Sequence, residues 1–268
     1  MSSTITSTAT TITPGQTIQP PVNLPSTAAV FSGLLRADLT TQWRNRRASI
    51  MVILIPTIIL MAWKGLVAKF GGAFVLSNCI TVGLNAIGLM GYTNTVARDR
   101  DKGIFQRLRV TPAPRWIIIA SRLVVQLAMI IISTLILFLI GYQFDHITMP
   151  ATGYIYAFLA AIVGGAVYLS LGQVIVGLIY NPETVQVTTR LVYFAFIMIG
   201  MFAQFGMLGK ELGNIADWSP YGAVRNIISA SLSPATWNNK TSTALLITFG
   251  YTAVFTILGI RWFRWSNK

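Results

Sequence analysis

Six apolar runs, each long enough to cross a bilayer, constrain this chain more than anything else in it. A bilayer core is crossed by about 20 apolar residues in a helix. The runs fall at about 49–67, 72–97, 116–142, 153–180, 185–208 and 241–262. Lipid offers no partner to an unpaired backbone N–H or C=O, so each run is expected to be helical. None shows the alternating pattern of a membrane-barrel strand. The expected fold class is an all-α polytopic membrane protein with six transmembrane helices. Composition agrees. Only 10% of the 268 residues are charged and 54% are hydrophobic, at a mean hydropathy of +0.64. A soluble domain, with about 25% charged residues, covers itself with a solvated surface that this chain cannot form.

The formal charge of +13 invites a nucleic-acid reading, which its distribution opposes. A nucleic-acid binder gathers cations on one polar face. Here they flank the apolar runs, as positive-inside topology requires, and no nucleic-acid partner is expected. With the N-terminus in the cytoplasm, 15 of the 20 Lys and Arg fall on inner segments. The other five, Lys64, Lys69, Lys210, Arg225 and Lys240, fall outside. Both termini are therefore expected in the cytoplasm, although Lys64 and Lys69 run against the trend.

Residues 1–26 are rich in Thr, Ser and Pro and carry no charged side chain. They lack the basic-then-apolar order of a signal peptide and read as a disordered cytoplasmic tail. Residues 27–268 form the membrane domain. It opens with Phe31, Leu34, Leu35, Leu39 and Trp43 at helical spacing, with Ser26 or Thr27 as N-cap. Arg36, Arg44, Arg46 and Arg47 take other positions. An amphipathic interfacial helix is expected, its arginines facing anionic membrane lipid.

Chemistry-bearing constellations are scarce. No P-loop pattern occurs, so no nucleotide site of that kind is expected in this chain. His146, the single histidine, sits beside Asp145 in a short loop without further metal ligands. No Ser-His-Asp set stands out. Cys79, the single cysteine, reads as a small buried hydrophobe. Seven acidic residues, none clearly mid-membrane, give ion-coupled transport little support. Catalysis is not expected. What remains are polar residues at helical spacing: Asn78, Thr81, Asn85, Gly88 and Tyr92 in the second run, and Gln186, Arg190, Tyr193, Ile197, Gly200 and Gln204 in the fifth. Tyr168 and Gln173 mark the fourth. Such faces are either helix-packing seams or the lining of a substrate path. The path candidates are Asn78, Thr81, Asn85, Tyr193 and Gln204.

Two polar segments stand apart. Arg98–Arg115, RDRDKGIFQRLRVTPAPR, holds six cations and two acids. Ile104, Phe105 and Leu108 share one side of a short predicted helix. Asp99 and Asp101 are expected at its N-terminus, and Pro112 and Pro114 end it. Gly209–Lys240 is too long for a turn and too polar to span. It predicts two short outer helices broken at Ser219–Pro220, with Ile215, Trp218 and Tyr221 toward the membrane edge.

Arg98-Asp99-Arg100-Asp101-Lys102-Gly103, Arg107-Leu108 and Thr111-Pro112, followed by Asp217-Trp218-Ser219-Pro220, give the chain its family likeness. In that order, across roughly residues 27–265, it resembles the membrane (permease) subunit of type-2 ATP-binding-cassette exporters. Asp101 stands where that family more usually has glutamate. The resemblance implies two permease subunits, identical or related, joined through the first and fifth helices. It implies two separate ATPase subunits below them. ATP and Mg would bind those partners, with no cofactor in this chain. Asp101, Lys102, Gly103, Ile104, Phe105, Arg107 and Leu108 would form the cytoplasmic coupling helix between helices two and three. The implied setting is the plasma membrane of a prokaryote, crossed several times. The mostly apolar interior points to a lipophilic substrate, a drug-like compound or a lipid. Export of a lipid-linked polysaccharide is the alternative. An integral membrane lipid-modifying enzyme would need an interfacial acidic or histidine cluster, and a channel would need a filter or charged ring.

The purified chain alone is expected to hydrolyse no ATP. Robust turnover by this chain in a phosphate-release assay would overturn the reading of separate ATPase subunits.

Overall fold

The computed structural model describes residues 26–104 and 115–262, without the side chains of 46–49 and 115. Of the described residues 89% are helical, and none is in a strand. The helices are α1 (Thr27–Arg44), α2 (Arg46–Ala62), α3 (Lys64–Phe70), α4 (Gly72–Asn85) and α5 (Thr93–Asp101). A π-helical segment, Ala86–Tyr92, joins α4 to α5 without a break. There follow α6 (Arg115–Gln143), α7 (Ala151–Leu178), α8 (Pro182–Gln204), α9 (Gly209–Trp218), α10 (Pro220–Leu232) and α11 (Asn239–Trp262). Among the described residues, five spans are long and apolar enough to cross a bilayer, or six when the bent α2–α3 pair counts as one.

That pair departs from expectation. The sequence points to Pro56 as the kink of the first run, but Pro56 lies inside α2 without ending it, and the chain bends by 61° after Ala62, at Trp63. Lys64 and Lys69, both exposed, ride on α3. A straight continuation would carry them through hydrocarbon at high cost. The second span also differs, running on to Asp101 rather than ending near Ala97.

The α4–α5 span is the axis of the fold. In its most apolar stretch 83% is buried, against 28% for α8 and 17% for α11, so the other helices pack around it. The tightest approach is to α7. A Cβ at Gly88 would lie 2.4 Å from the Tyr168 Cβ and 2.7 Å from its carbonyl carbon. One at Gly172 would lie 2.6 Å from the Gly88 carbonyl oxygen. The two backbones meet only because both positions lack a side chain.

Ser26 proves to be the cap of α1, accepting from the Ala29 N–H at 3.3 Å. No residue of α1 is buried, and Leu39 and Trp43 are exposed, as a helix resting at an interface would have them. The two short helices α9 and α10 do break at Ser219–Pro220, where Ser219 accepts from the Gly222 N–H at 3.2 Å. The expected facing is corrected in part. Ile215 is exposed, but Tyr221 is fully buried. Its ring occupies the space a side chain at Gly200 would need, with contacts from 2.2 Å. The α10 helix is thus core, wedged among α4, α7 and α11.

Gly88→Ala should lower thermal stability by about 1–3 kcal/mol, since backbone of α7 must give way. Gly250→Ala, where nothing lies within 4 Å, should leave the melting temperature unchanged or raise it. Melting both variants in one detergent checks the contrast.

Candidate coupling and translocation site

Polar contacts line the α4–α5 axis from one end to the other. Near its start, Asn78 and Gln204 exchange amide hydrogen bonds. Asn78 Nδ2 donates to Gln204 Oε1 at 2.8 Å, and Gln204 Nε2 donates to Asn78 Oδ1 at 2.9 Å. The Tyr221 hydroxyl adds a long bond to Asn78 Oδ1 at 3.4 Å. Thr81 donates to the Ser77 carbonyl of its own helix. Asn85 Nδ2 reaches the Tyr193 carbonyl at 3.4 Å, while Asn85 Oδ1 is buried without a partner. The side chains of Asn78 and Asn85 thereby join α4 to Gln204 and Tyr193 of α8, while Thr81 bonds within its own helix. Asn78, Thr81, Asn85 and Tyr193 are buried.

The predicted face of α8 needs correction at its start. Arg190 is exposed and Gln186 only half-buried. The buried stripe is Val185, Thr189, Tyr193, Ile197 and Gly200. Thr189 lies 3.2 Å from Thr93, oxygen to oxygen. In α7, Gln173 accepts a hydrogen bond from Tyr92. Tyr168 is fully buried against Gly88. The π segment contributes to this alignment. An inserted residue turns the following face by about 100°.

The far end of the axis is a knot of charges. Arg100 is buried, and its guanidinium donates to the carbonyls of Val176 (2.8 Å), Ile179 (2.6 Å) and Tyr180 (2.9 Å). These sit at the C-terminus of α7, where carbonyls lack helical partners and the dipole favours a cation. The Tyr180 ring lies 4.9 Å below the same guanidinium. Asp99, one residue earlier and so about 100° around the helix, points the other way and pairs with Arg122 of α6 at 2.7 Å. Ser121 next to it donates to Asp38 of α1 at 2.6 Å. Burial raises the Asp38 carboxyl above its usual range, opposed by the Ser121 hydrogen bond and the Arg122 charge. Adjacent residues Asp99 and Arg100 thus tie α5 to α6 and α7, and α6 carries the tie to α1.

The charged segment was expected to begin a new helix at Asp99 and Asp101. Instead these acids close α5. Gly103, at φ +67°, makes the left-handed turn that ends it, and the backbone is helical again at Ile104. Asp101 and Lys102 are exposed; Ile104 is half-buried beside Asp38 and Arg122. Phe105, Arg107 and Leu108 lie outside the described residues, as do Pro112 and Pro114. Asp145 is buried while His146 is exposed at φ +51°. No group of three His, Cys, Asp or Glu able to hold a metal occurs among the described residues. Cys79 is a free, fully buried thiol.

A family model described as ABC-2 family transporter protein matches residues 23–261. The chain belongs to this family. A comparison with curated proteins gives no match. The ABC-2 membership makes it a multi-pass membrane component of an ABC exporter, a permease rather than a catalyst, that associates with ABC ATPase subunits. Sequence reasoning missed the buried role of Arg100, which looked like one more positive-inside charge. The available signal was the strict basic–acidic alternation of Arg98 to Asp101, which puts Arg98 and Arg100, about 200° apart, on opposite sides of one helix.

Asp99→Asn and Arg122→Met in this ABC-2 permease should each lower stability by about 2 kcal/mol, because each strands a largely buried charge. The double variant should lose less than the sum, by about 1 kcal/mol or more. Melting the four proteins in one detergent measures the coupling; strict additivity would refute the pair.

Proposed function

We propose that this ABC-2 permease exports a lipophilic substrate, a drug-like compound or a lipid, from a prokaryotic plasma membrane. Two separate ATPase subunits supply the energy from ATP and Mg bound on their own chains. They seat on the segment Asp101–Leu108, on the cytoplasmic side with both termini. The Asp99–Arg100 fork carries this reading. The segment follows directly from α5, and that fork fastens α5 to α6 and α7. A push on it moves three helices as one body rather than a loose loop, the two-state element that coupling between sites requires.

The outer faces of α2 and α8 remain apolar and uncovered in one chain. Leu54, Ile58, Leu191, Phe194 and Met198 are exposed. A second permease copy, identical or related, covers them in part, and lipid covers the rest. The substrate path then opens along the α4–α8 seam beside Asn78, Thr81, Asn85, Tyr193 and Gln204. Closed, the amides satisfy one another. Opened, they turn to the substrate. Export of a lipid-linked polysaccharide is the second reading, favoured by the exposed aromatics Phe194 and Phe202 on α8 and Phe205 at its C-cap.

Phe105→Asp puts a charge into the apolar docking side. The variant should insert and melt as the parent does. Binding of the cognate ATPase and transport should both fall by about tenfold or more. Survival of both would mean that the ATPase seats elsewhere.

A further inference from the structure

Away from the α4–α8 seam, a set of adjoining hollows lies on the opposite side of the α4–α5 axis. The outermost, about 290 Å³, opens between α1 and α5 and is edged by Arg44, Arg98 and Lys102. These three cations are exposed, and none has an ion-pair partner among the described residues. The acid at the same mouth, Asp99, is held 2.7 Å from Arg122. Through Arg98 and Thr95 the mouth continues into an inner hollow of about 180 Å³. Its floor is Val52 and Ile55 of α2, Ala86 and Met90 of the π segment, and Met129 of α6. Asn94 also lines it, with a buried Oδ1 that finds no partner. Past Met129 a lateral groove of about 340 Å³ runs out between α1, α2 and α6, walled by Trp43, Ile50, Ile53 and Ile132.

The order is cationic mouth, polar neck, apolar floor, and an apolar side opening. A free anion would use only the first part, and a neutral apolar compound only the last two. The whole sequence matches an amphiphile with an anionic head. Basic pockets between helices at the cytoplasmic side of a membrane recognise anionic headgroups in this way. The exposed Leu39 and Trp43 of α1 set the mouth at headgroup depth.

We propose that this cavity holds one anionic phospholipid, its phosphate between Arg44, Arg98 and Lys102. One acyl chain lies on the Val52–Met90–Met129 floor, and the other leaves through the groove past Trp43. The bound lipid braces α1 and α2 against the π segment. Arg98 is also one residue from the Asp99–Arg100 fork, so the lipid sits next to the force-transmitting knot. The choice of the cytoplasmic leaflet rests on the orientation proposed above; the binding itself does not.

Native mass spectrometry of the full-length chain in an uncharged detergent tests this without any ATPase. The probes are dioleoyl phosphatidylglycerol, dioleoyl phosphatidylcholine and inorganic phosphate. One phosphatidylglycerol per chain should be retained, at an affinity roughly tenfold or more above phosphatidylcholine. The double variant Arg44→Gln/Arg98→Gln should lose that preference while its melting temperature stays within a degree or so of the parent in the absence of lipid. Met129→Trp, which fills the floor and leaves the head charges intact, should also lower retention. Equal retention of both lipids, or undiminished retention by the double variant, would overturn the site. Full displacement of the lipid by inorganic phosphate would reduce it to an anion site and likewise overturn the proposal. Loss of transport on Phe105→Asp with lipid retention intact separates this site from the coupling reading.

Discussion

Arg100 spans a gap that the backbone of α7 cannot close by itself. The last carbonyls of any helix lack partners, and in a membrane protein they have little water to turn to. Arg100 supplies donors to one of them, Val176, and to the Ile179 and Tyr180 carbonyls just past the helix, and its charge suits the negative end of the α7 dipole. Taking a guanidinium out of water costs several kcal/mol. Three charge-assisted hydrogen bonds and the Tyr180 ring offset that cost. The geometry works only if the α4–α5 axis runs unbroken past the apolar layer and delivers residue 100 beside the end of α7. The extension to Asp101, the π segment and the glycine contact with α7 are all parts of meeting that condition.

The π segment lies at the middle of this arrangement. A wide turn that contains Gly88 and packs on Tyr168 has no spare room on the α7 side. On the other side it borders a cavity. The same seven residues therefore fix the axis against one neighbour and leave space against another. Such segments recur where helices serve a function. Here the rotation they introduce lets Thr93 and Arg100 face α7 and α8 while Asn94, Thr95 and Arg98 face the hollow below α1.

In the proposed coupling, transmission of force needs stiffness at the charged end and separability along the seam. The charged knot joins α1, α5, α6 and α7 through contacts that lose a partnered charge if any one is broken. The α4–α8 seam is held differently, by neutral amides and hydroxyls that exchange partners at lower cost. Stiff ties at the charged end and exchangeable ties along the seam are a division of labour consistent with a transporter.

Much of this was legible in the sequence. The apolar runs fixed the helical class, because unpaired backbone polar groups are intolerable in hydrocarbon whatever the packing. The Ser219–Pro220 break followed from proline sterics, and the inward facing of Asn78, Thr81 and Asn85 from helical spacing. Hydropathy could not say where the first run bends, since Trp63 is itself apolar and the cause lies in the lysines beyond it. Nor could it tell Arg100 from Arg98, two residues apart in a row of alternating charges. One is buried on α7 and the other is exposed at the mouth of the hollow beside α1. Tyr221 read as an interfacial aromatic because its pocket is made by Gly200, 21 positions away in the chain. The sequence by itself determined which segments enter the membrane, a property of local composition. Tertiary structure decided which polar residues meet and which charges are buried, because those depend on neighbours distant in sequence and on the register that a single π segment resets.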